Sequence, residues 1–383
     1  MAPMLAIDER LSSHDADASS HDETGAPPSS REHGLATGTL VDQVYRIVAP
    51  LGSGSMGTVY LAHDETLDRP VAIKVAQSHL KDATFRARFL AEARAMARVK
   101  HPNVLSIFAF GEHDQAPYFV MEFVQGGTLQ QWLDEHQGPA DLDVVFRILD
   151  GICRGLSAIH GAHTIHQDIK PDNVLLDKNL RPRIADLGLA VVQRGGQPSA
   201  REFVGTPAYM APEVAFPRGP ELAPRARADV YALGCVAYQL LTGRPPFDGN
   251  GNMGMLLQHA VKKVVPPSVL RPGLSAAIDD VILRALAKDP RARTATAEEF
   301  RRGLMAARRQ MRQRSRSIVA LVEADSEAPP SGILLRPRTD AGEEGMDVEP
   351  PSGVVVRERG GNEGNLALHR EAPRVTEACA AGP

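Results

Sequence analysis

Apolar and polar positions fall into short runs early in the chain and take helical spacing later. Thr58-Val59-Tyr60-Leu61-Ala62, Pro70-Val71-Ala72-Ile73-Lys74-Val75 and Tyr118-Phe119-Val120-Met121-Glu122-Phe123 are rich in β-branched and aromatic residues and have strand length. Between the second and third runs, residues 83–99 read as a helix with an apolar stripe at Phe85, Phe89, Met96 and Val99. Longer helical patterns cover residues 142–160, 228–242 and 276–287. Strands first and helices after predict an α+β domain over residues 45–307, with a small β-rich lobe joined to a larger helical lobe.

The flanks lose this periodicity. Residues 1–34 hold six serines, three histidines and seven acids against two arginines. Residues 1–40 are therefore expected to form a disordered acidic head. His14, His21 and His33 have no metal-site spacing and belong to that polar composition. Residues 308–383 are expected to be an arginine-rich joint followed by a disordered Pro/Gly-rich tail. The joint begins within residues 301–317, which carry seven arginines and no acid. Two readings fit it: a contact for nucleic acid or anionic lipid, or the solvated end of the last domain helix. The second is adopted, and no nucleic-acid partner is expected. In the tail, Pro329-Pro330-Ser331-Gly332-Ile333-Leu334-Leu335-Arg336 recurs as Pro350-Pro351-Ser352-Gly353-Val354-Val355-Val356-Arg357. This unit is either a docking motif that adds a strand to a partner's sheet edge or a duplicated linker.

Composition narrows the picture. The 383 residues are 43% hydrophobic, enough for a core, and the formal charge of −4 exerts no global pull towards polyanions. Cys153, Cys235 and Cys379 are too scattered for a disulfide framework, which suggests a reducing compartment. No run of about 18 apolar residues offers a membrane span. Acids stand near the N-terminus where a signal peptide would be basic. A cytoplasmic protein is expected.

The polar residues with chemical potential form an ordered series. Leu51-Gly52-Ser53-Gly54-Ser55-Met56-Gly57 contains GxGxxG, a weak signal alone. A dinucleotide site would need a helix next, but strand-like alternation follows. The glycines thus sit in a hairpin whose backbone N–H groups can lie over phosphates. Lys74 lies on a strand, where it either snorkels from an edge or serves a site. Glu92 falls on the apolar stripe, three after Phe89 and four before Met96. It is either an acid at a helix margin or the partner of Lys74, since a carboxylate facing a core needs one. The densest cluster is Ile165-His166-Gln167-Asp168-Ile169-Lys170-Pro171-Asp172-Asn173, followed by Asp186 in Ala185-Asp186-Leu187-Gly188. Asp168 can orient a hydroxyl and accept its proton, and Lys170 can neutralise a transferring phosphoryl group. Asn173 and Asp186 offer hard oxygen ligands suited to Mg²⁺.

With the glycine hairpin, strand lysine, HxDxKxxN and DxG in order, the sequence resembles a protein-kinase catalytic domain. More narrowly it resembles the Hanks-type (eukaryotic-like) Ser/Thr protein kinases of bacteria. The resemblance covers about residues 45–307. It implies the two-lobed protein-kinase fold with ATP in the cleft and Ser/Thr hydroxyls of proteins as acceptors. It further implies that Gly52, Gly54 and Gly57 cover the phosphates, and that Leu51, Ser53, Val59 and Ala72 complete the nucleotide site. Lys74 would hold the α- and β-phosphates and pair with Glu92. Glu122 and Val124 would present hinge backbone to adenine behind the gatekeeper Met121. Asp168 would be the base, Lys170 would support the γ-phosphate, and Asn173 and Asp186 would bind Mg²⁺. Gly205-Thr206-Pro207-Ala208-Tyr209-Met210-Ala211-Pro212-Glu213 is similar to the end of an activation segment, and with Lys170 it marks Ser/Thr specificity. Asp229 would anchor the catalytic loop and Arg293 would pair with Glu213, both as scaffold.

The chain departs from the family in three places. Gln167 stands where an arginine usually reads an activation-loop phosphate, and Ser199 is the one hydroxyl residue between Leu187 and Gly205. Activation without loop phosphorylation is therefore expected. Leu187 replaces the commoner Phe, and packing against His166 and Met96 should survive. Thr128 and Gln239 stand where arginine-directed members carry acids, so no strong preference for upstream basic residues is expected. The alternative to a catalyst is a nucleotide-gated pseudokinase; the joint presence of Lys74, Glu92, Asp168, Asn173 and Asp186 favours the enzyme.

Overall fold

The computed structural model describes residues 34–54, 57–76, 83–136, 138–187, 206–217, 225–249 and 251–326. The histidine-bearing head, Ser55, Met56, Gly188, Ser199, Gly205 and the doubled tail unit lie outside these residues.

The β-branched runs form one antiparallel sheet. Its strands are β1 (Leu40–Val41), β2 (Tyr45–Gly54), β3 (Gly57–Asp64), β4 (Arg69–Ala76), β5 (Ile107–His113) and β6 (Ala116–Glu122), in the order β1-β2-β3-β4-β6-β5. The edge strand β5 alternates in burial, whereas β4 is buried continuously from Val71 to Ala76. Both faces of a central strand are covered, so the alternation expected of a half-exposed strand disappears. Val71, Ile73 and Val75 pack on one face with Ile47, Tyr60 and Val120. Ala72 and Ala76 enter the main core on the other face, with Phe119, Met121 and the Phe89 and Met96 of α1 (Ala83–Ala97).

The helical lobe is built around α3 (Leu142–Gly161) and α5 (Arg225–Thr242). Asp141 starts α3 by accepting the N–H groups of Asp143 and Val144. Thr128 and Gln131 close a capping box at the start of α2 (Leu129–Glu135). The remaining helices are α4 (Pro212–Ala215), α6 (Gly251–Val261), α7 (Pro267–Leu270), α8 (Ala276–Ala285) and α9 (Ala297–Ser326). A small hairpin of β7 (Val174–Leu176) and β8 (Pro182–Ile184) lies between Asn173 and Asp186.

Ordered structure extends past the expected domain at both ends. The head expected to be disordered through residue 40 already packs at its end: Leu35 N–H donates to the Tyr60 hydroxyl at 2.9 Å, and β1 buries Val41 fully. At the other end the helix does not stop near residue 307 but continues to Ser326. Its arginines answer acids on α3: Arg301 meets Asp150 at 2.9 Å, while Arg308 and Arg312 meet Asp143 at 2.7 and 2.6 Å. Leu304 and Ala307 are buried below them and Met311 extends the apolar contact. A charge run that looks like a linker in sequence thus becomes a packed helix, because its partners lie about 160 residues earlier. Among the described residues no helix is long and apolar enough to cross a membrane.

Candidate active site

Sheet register brings the roof of the cleft together. Val59 pairs with Lys74, Lys74 with Phe119, Leu61 with Ala72, and Ala72 with Met121. Directly paired residues share a face, so Val59, Ala72, Lys74 and Met121 line one side of the sheet. The β2–β3 hairpin closes at the pair Gly54–Gly57 and carries the exposed Leu51, Gly52 and Ser53. A Cβ on Gly57 would sit 2.2 Å from the Val75 carbonyl oxygen, so the fold itself requires glycine there. A Cβ on Gly52 or Gly54 would meet nothing within 4 Å, so these positions leave bare backbone beside the cleft. After β6 the chain crosses to the helical lobe. Glu122 is tied down twice, by its N–H to the Ser106 carbonyl at 2.9 Å and by its carboxylate to Arg183 at 2.7 Å. The backbone N–H and C=O of Val124 make no hydrogen bond among the described residues and remain available to a ligand edge.

Lys74 sits between two carboxylates. Its Nζ donates to Glu92 Oε1 at 2.9 Å and to Asp186 Oδ1 at 2.8 Å. The Asp186 contact was not foreseen from the sequence, because the two residues are 112 positions apart. Glu92 is 2% exposed, which settles its stripe position as inward-facing. Burial works against the Lys74 ammonium, but the two carboxylates outweigh it and hold its pKa above the ordinary lysine range. Burial is also the chief influence on Glu92; it pushes that carboxyl up to about 7 against the pull of Lys74. Asp186 is held low: burial opposes its charge, but the adjacent Lys74 prevails, and its side chain, 47% exposed, opens onto the cleft. One cation against two carboxylates leaves a net negative charge, which suits a site for Mg²⁺.

The segment from His166 to Asn173 hangs from Asp229 on α5. Its carboxylate accepts the backbone N–H groups of His166 and Gln167, each at 2.8 Å, and His160 Nε2 approaches at 2.8 Å. Gln167 is thereby held at φ 67°, a left-handed conformation uncommon for a residue with a Cβ. His166 is buried, and burial lowers its imidazole pKa, which favours the neutral ring. Its Nδ1 accepts from Asp168 N–H at 3.3 Å, which leaves Nε2 to donate to the Ala185 carbonyl at 3.0 Å. Leu187 is buried in the same core as Met96. Asp168 Oδ2 receives both Lys170 Nζ and Asn173 Nδ2 at 2.9 Å, and Asn173 Nδ2 also reaches the Asp168 carbonyl at 2.8 Å. The other carboxylate oxygen of Asp168 and the amide oxygen of Asn173 stay free of these contacts. Lys170 also donates to Thr206 Oγ1 at 3.0 Å, which links Asp168, through the shared lysine, to the segment that begins at Thr206.

One further ion pair braces the helical lobe. Arg293 is fully enclosed and pairs with Glu213 through two contacts, at 2.7 and 3.0 Å, while also donating to the Arg227 and Ala287 carbonyls. Gln239 accepts the Tyr209 hydroxyl at 2.6 Å, and Thr128 caps α2, so neither presents a charge to a substrate. His160 and Arg183 were missed in the sequence: a histidine at a helix end and an arginine on a short strand carry no local mark of their distant partners. Among the described residues no three His, Cys, Asp or Glu side chains gather into a metal cage. Asn173 and Asp186 supply two oxygen ligands, which fits Mg²⁺ held jointly with phosphate oxygens and water.

Residues 45–303 match the protein kinase domain family. The chain is 40% identical over 270 residues to serine/threonine-protein kinase Pkn1 of Myxococcus xanthus, covering 69% of this chain and 38% of that protein. It is 34% identical over 315 residues to serine/threonine-protein kinase PknB of Mycobacterium tuberculosis, covering 80% and 50% respectively. The chain thus spans half or less of the length of these two relatives. The crystal structure of a point mutant of the Mycobacterium tuberculosis PknI kinase domain superposes with a TM-score of 0.55 at 30% identity, over 72% of this chain and 99% of that one. The chain belongs to the protein kinase family, among the bacterial Hanks-type serine/threonine protein kinases.

Proposed function

We propose that this protein is a serine/threonine protein kinase that transfers the γ-phosphoryl group of ATP to protein hydroxyls. The observation that carries the reading is the convergence of Lys74, Glu92 and Asp186 on one side of the cleft with Asp168, Lys170 and Asn173 on the other. Val124 offers adenine an unoccupied N–H and C=O, while Gly52, Gly54 and Gly57 lay the hairpin over the phosphates. Lys74, positioned by Glu92, binds the α- and β-phosphates. Asp168 orients the acceptor hydroxyl with its free carboxylate oxygen and takes up its proton as the hydroxyl oxygen bonds to the γ-phosphorus and the γ-phosphorus separates from the bridging oxygen, which leaves with ADP. Lys170 offsets charge on the transferring group and, through Thr206, keeps the acceptor segment in register. Asn173 and Asp186 would hold Mg²⁺, which when bound neutralises phosphate charge.

Three finer points belong to the same proposal. Gln167 has no charge to pair with a loop phosphate, so catalysis proceeds without phosphorylation of Ser199; an inert but folded Ser199→Ala protein would refute this. Gln239 and Thr128 are engaged within the protein, so peptide-library selection should be weak for upstream arginine. Because the protein consumes ATP and keeps Cys153 and Cys235 as free thiols, its working place is the cytoplasm. The deciding experiment is incubation with Mg·ATP and a generic protein substrate beside an Asp168→Asn control. Phosphoserine or phosphothreonine should form with the parent protein and be lost in the variant. Nucleotide binding without transfer in the parent protein would overturn the assignment.

A further inference from the structure

A buried histidine lies outside the nucleotide cleft. His259, on α6, is fully enclosed. The Tyr231 hydroxyl of α5 lies 2.9 Å from its Nδ1, and the Phe247 ring stands edge-on to it with centroids 4.8 Å apart. Both contacts hold the imidazole in one orientation. Lys288 Nζ sits 4.3 Å from the centre of the same Phe247 ring. Burial, and after it the Lys288 charge, lowers the His259 pKa to about 4, so near pH 7 the ring is neutral and carries a single N–H.

The Nε2 of this ring is buried and makes no hydrogen bond. Here α6 packs against a single 3₁₀ turn, Pro207–Tyr209. The backbone of Ala208, in that turn, is close enough to raise the imidazole pKa. A backbone group that favours the protonated ring is an acceptor, so the Ala208 carbonyl is the group that faces the histidine. That carbonyl accepts no hydrogen bond among the described residues. One proton arrangement serves all three groups: the Tyr231 O–H donates to Nδ1, and Nε2 directs its proton towards Ala208. The opposite tautomer would set a lone pair against a carbonyl oxygen. An enclosed donor and a facing acceptor, each unpartnered, are unfavourable until the pair closes.

The turn adjoins the candidate active site. Thr206, the residue before it, accepts from Lys170, which meets Asp168. Tyr209, at its end, donates to Gln239 of α5. We propose that His259 is a positioning residue for the acceptor: its Nε2–H is the donor for the Ala208 carbonyl, and closing this pair seats residues 206–209 against α6. The inference rests on the proposed transfer to protein hydroxyls. The pair lies apart from the residues assigned to the nucleotide, so its effect falls on the acceptor.

Two variants separate the two ring nitrogens. Glutamine places its amide near the position of Nε2, and asparagine near that of Nδ1. In the full chain, H259N should raise the KM for dephosphorylated casein about fivefold or more and leave the KM for ATP unchanged. H259Q should leave both KM values close to the parent's. Each variant loses one contact and should melt earlier, so a purely structural role would raise the casein KM in both. Hydrogen exchange of residues 206–210, read by mass spectrometry, should quicken in H259N and stay near the parent's rate in H259Q. This readout needs no turnover: absence of transfer by the parent protein overturns the proposed activity, while exchange still decides the contact. The ¹⁵N shifts of the His259 ring in the parent protein need no variant and should show Nε2 protonated. An Nδ1-protonated ring, a casein KM that rises equally in both variants, or unchanged exchange in H259N overturns the proposal.

Discussion

Asp229 is the buried acid on which the catalytic segment hangs, and its removal should uncouple fold from site. The side chain is 1% exposed and accepts two backbone N–H groups, from His166 and Gln167, with His160 as a third neighbour. Asp229→Ala takes a charged acceptor from both N–H groups. A hydrogen bond to a charged group is worth about 1.5–3 kcal/mol, so the loss is about 3–6 kcal/mol. Asp229→Asn keeps the shape and one acceptor, and should lose roughly half of that. The Gln167 N–H bond also holds a left-handed residue, a conformation that costs about 1 kcal/mol or more. Gln167→Gly should therefore recover more stability in the Asp229→Asn background than in the parent. Trp132 is the chain's one tryptophan, is buried, and provides the fluorescence signal for urea unfolding. Turnover with a protein substrate is measured in parallel and should fall in the order parent, Asn, Ala. If Asp229→Ala unfolds within about 0.5 kcal/mol of the parent and keeps its turnover, the segment is held by other contacts and the reasoning fails.

Other outcomes follow from the same geometry. Glu92 has a folded-state pKa of about 7 against an ordinary 4.5, so the folded state holds the extra proton between those values. Its contribution to stability is therefore greatest at low pH and declines as pH rises through that window; Glu92→Gln should flatten this slope in urea titrations. Activity should run the opposite way, falling below pH 7 as Glu92 protonates and Lys74 loses its anchor, and a kcat/KM profile for ATP that stays level from pH 8 to 6 would contradict this. Gly57→Ala forces a Cβ against the Val75 carbonyl and should destabilise the protein by about 1–3 kcal/mol in urea. Gly52→Ala has room, so it should fold like the parent and act, if at all, on the KM for ATP. Arg293→Ala leaves Glu213 with no counter-charge in a largely enclosed site and should cost about 3 kcal/mol or more, which melting of the variant would register.

The site was legible because its residues come in tight local motifs. Asp168, Lys170 and Asn173 lie within six positions, and the structure joins them through one carboxylate oxygen. Glu92 was readable as an inward acid from its place between Phe89 and Met96. What was not legible depends on pairs far apart in the chain. The shared position of Lys74 between Glu92 and Asp186, the His160–Asp229 contact and the Arg183–Glu122 tie span 112, 69 and 61 residues, and no local pattern encodes them. The continuous burial of β4 was hidden for the same reason, since only the neighbours β3 and β6 and the helix α1 decide that both its faces are covered.

The sequence by itself determined the kind of elements, their order and the chemical types in the cleft, because strand and helix periodicity and short motifs act over a few residues. Tertiary structure alone decided where the folded unit ends. The arginines after residue 300 read as a solvated joint until Asp143 and Asp150 are brought beside them, when the same charges fasten a thirty-residue helix. Charge is written residue by residue, but compensation depends on distance in space, which the fold sets.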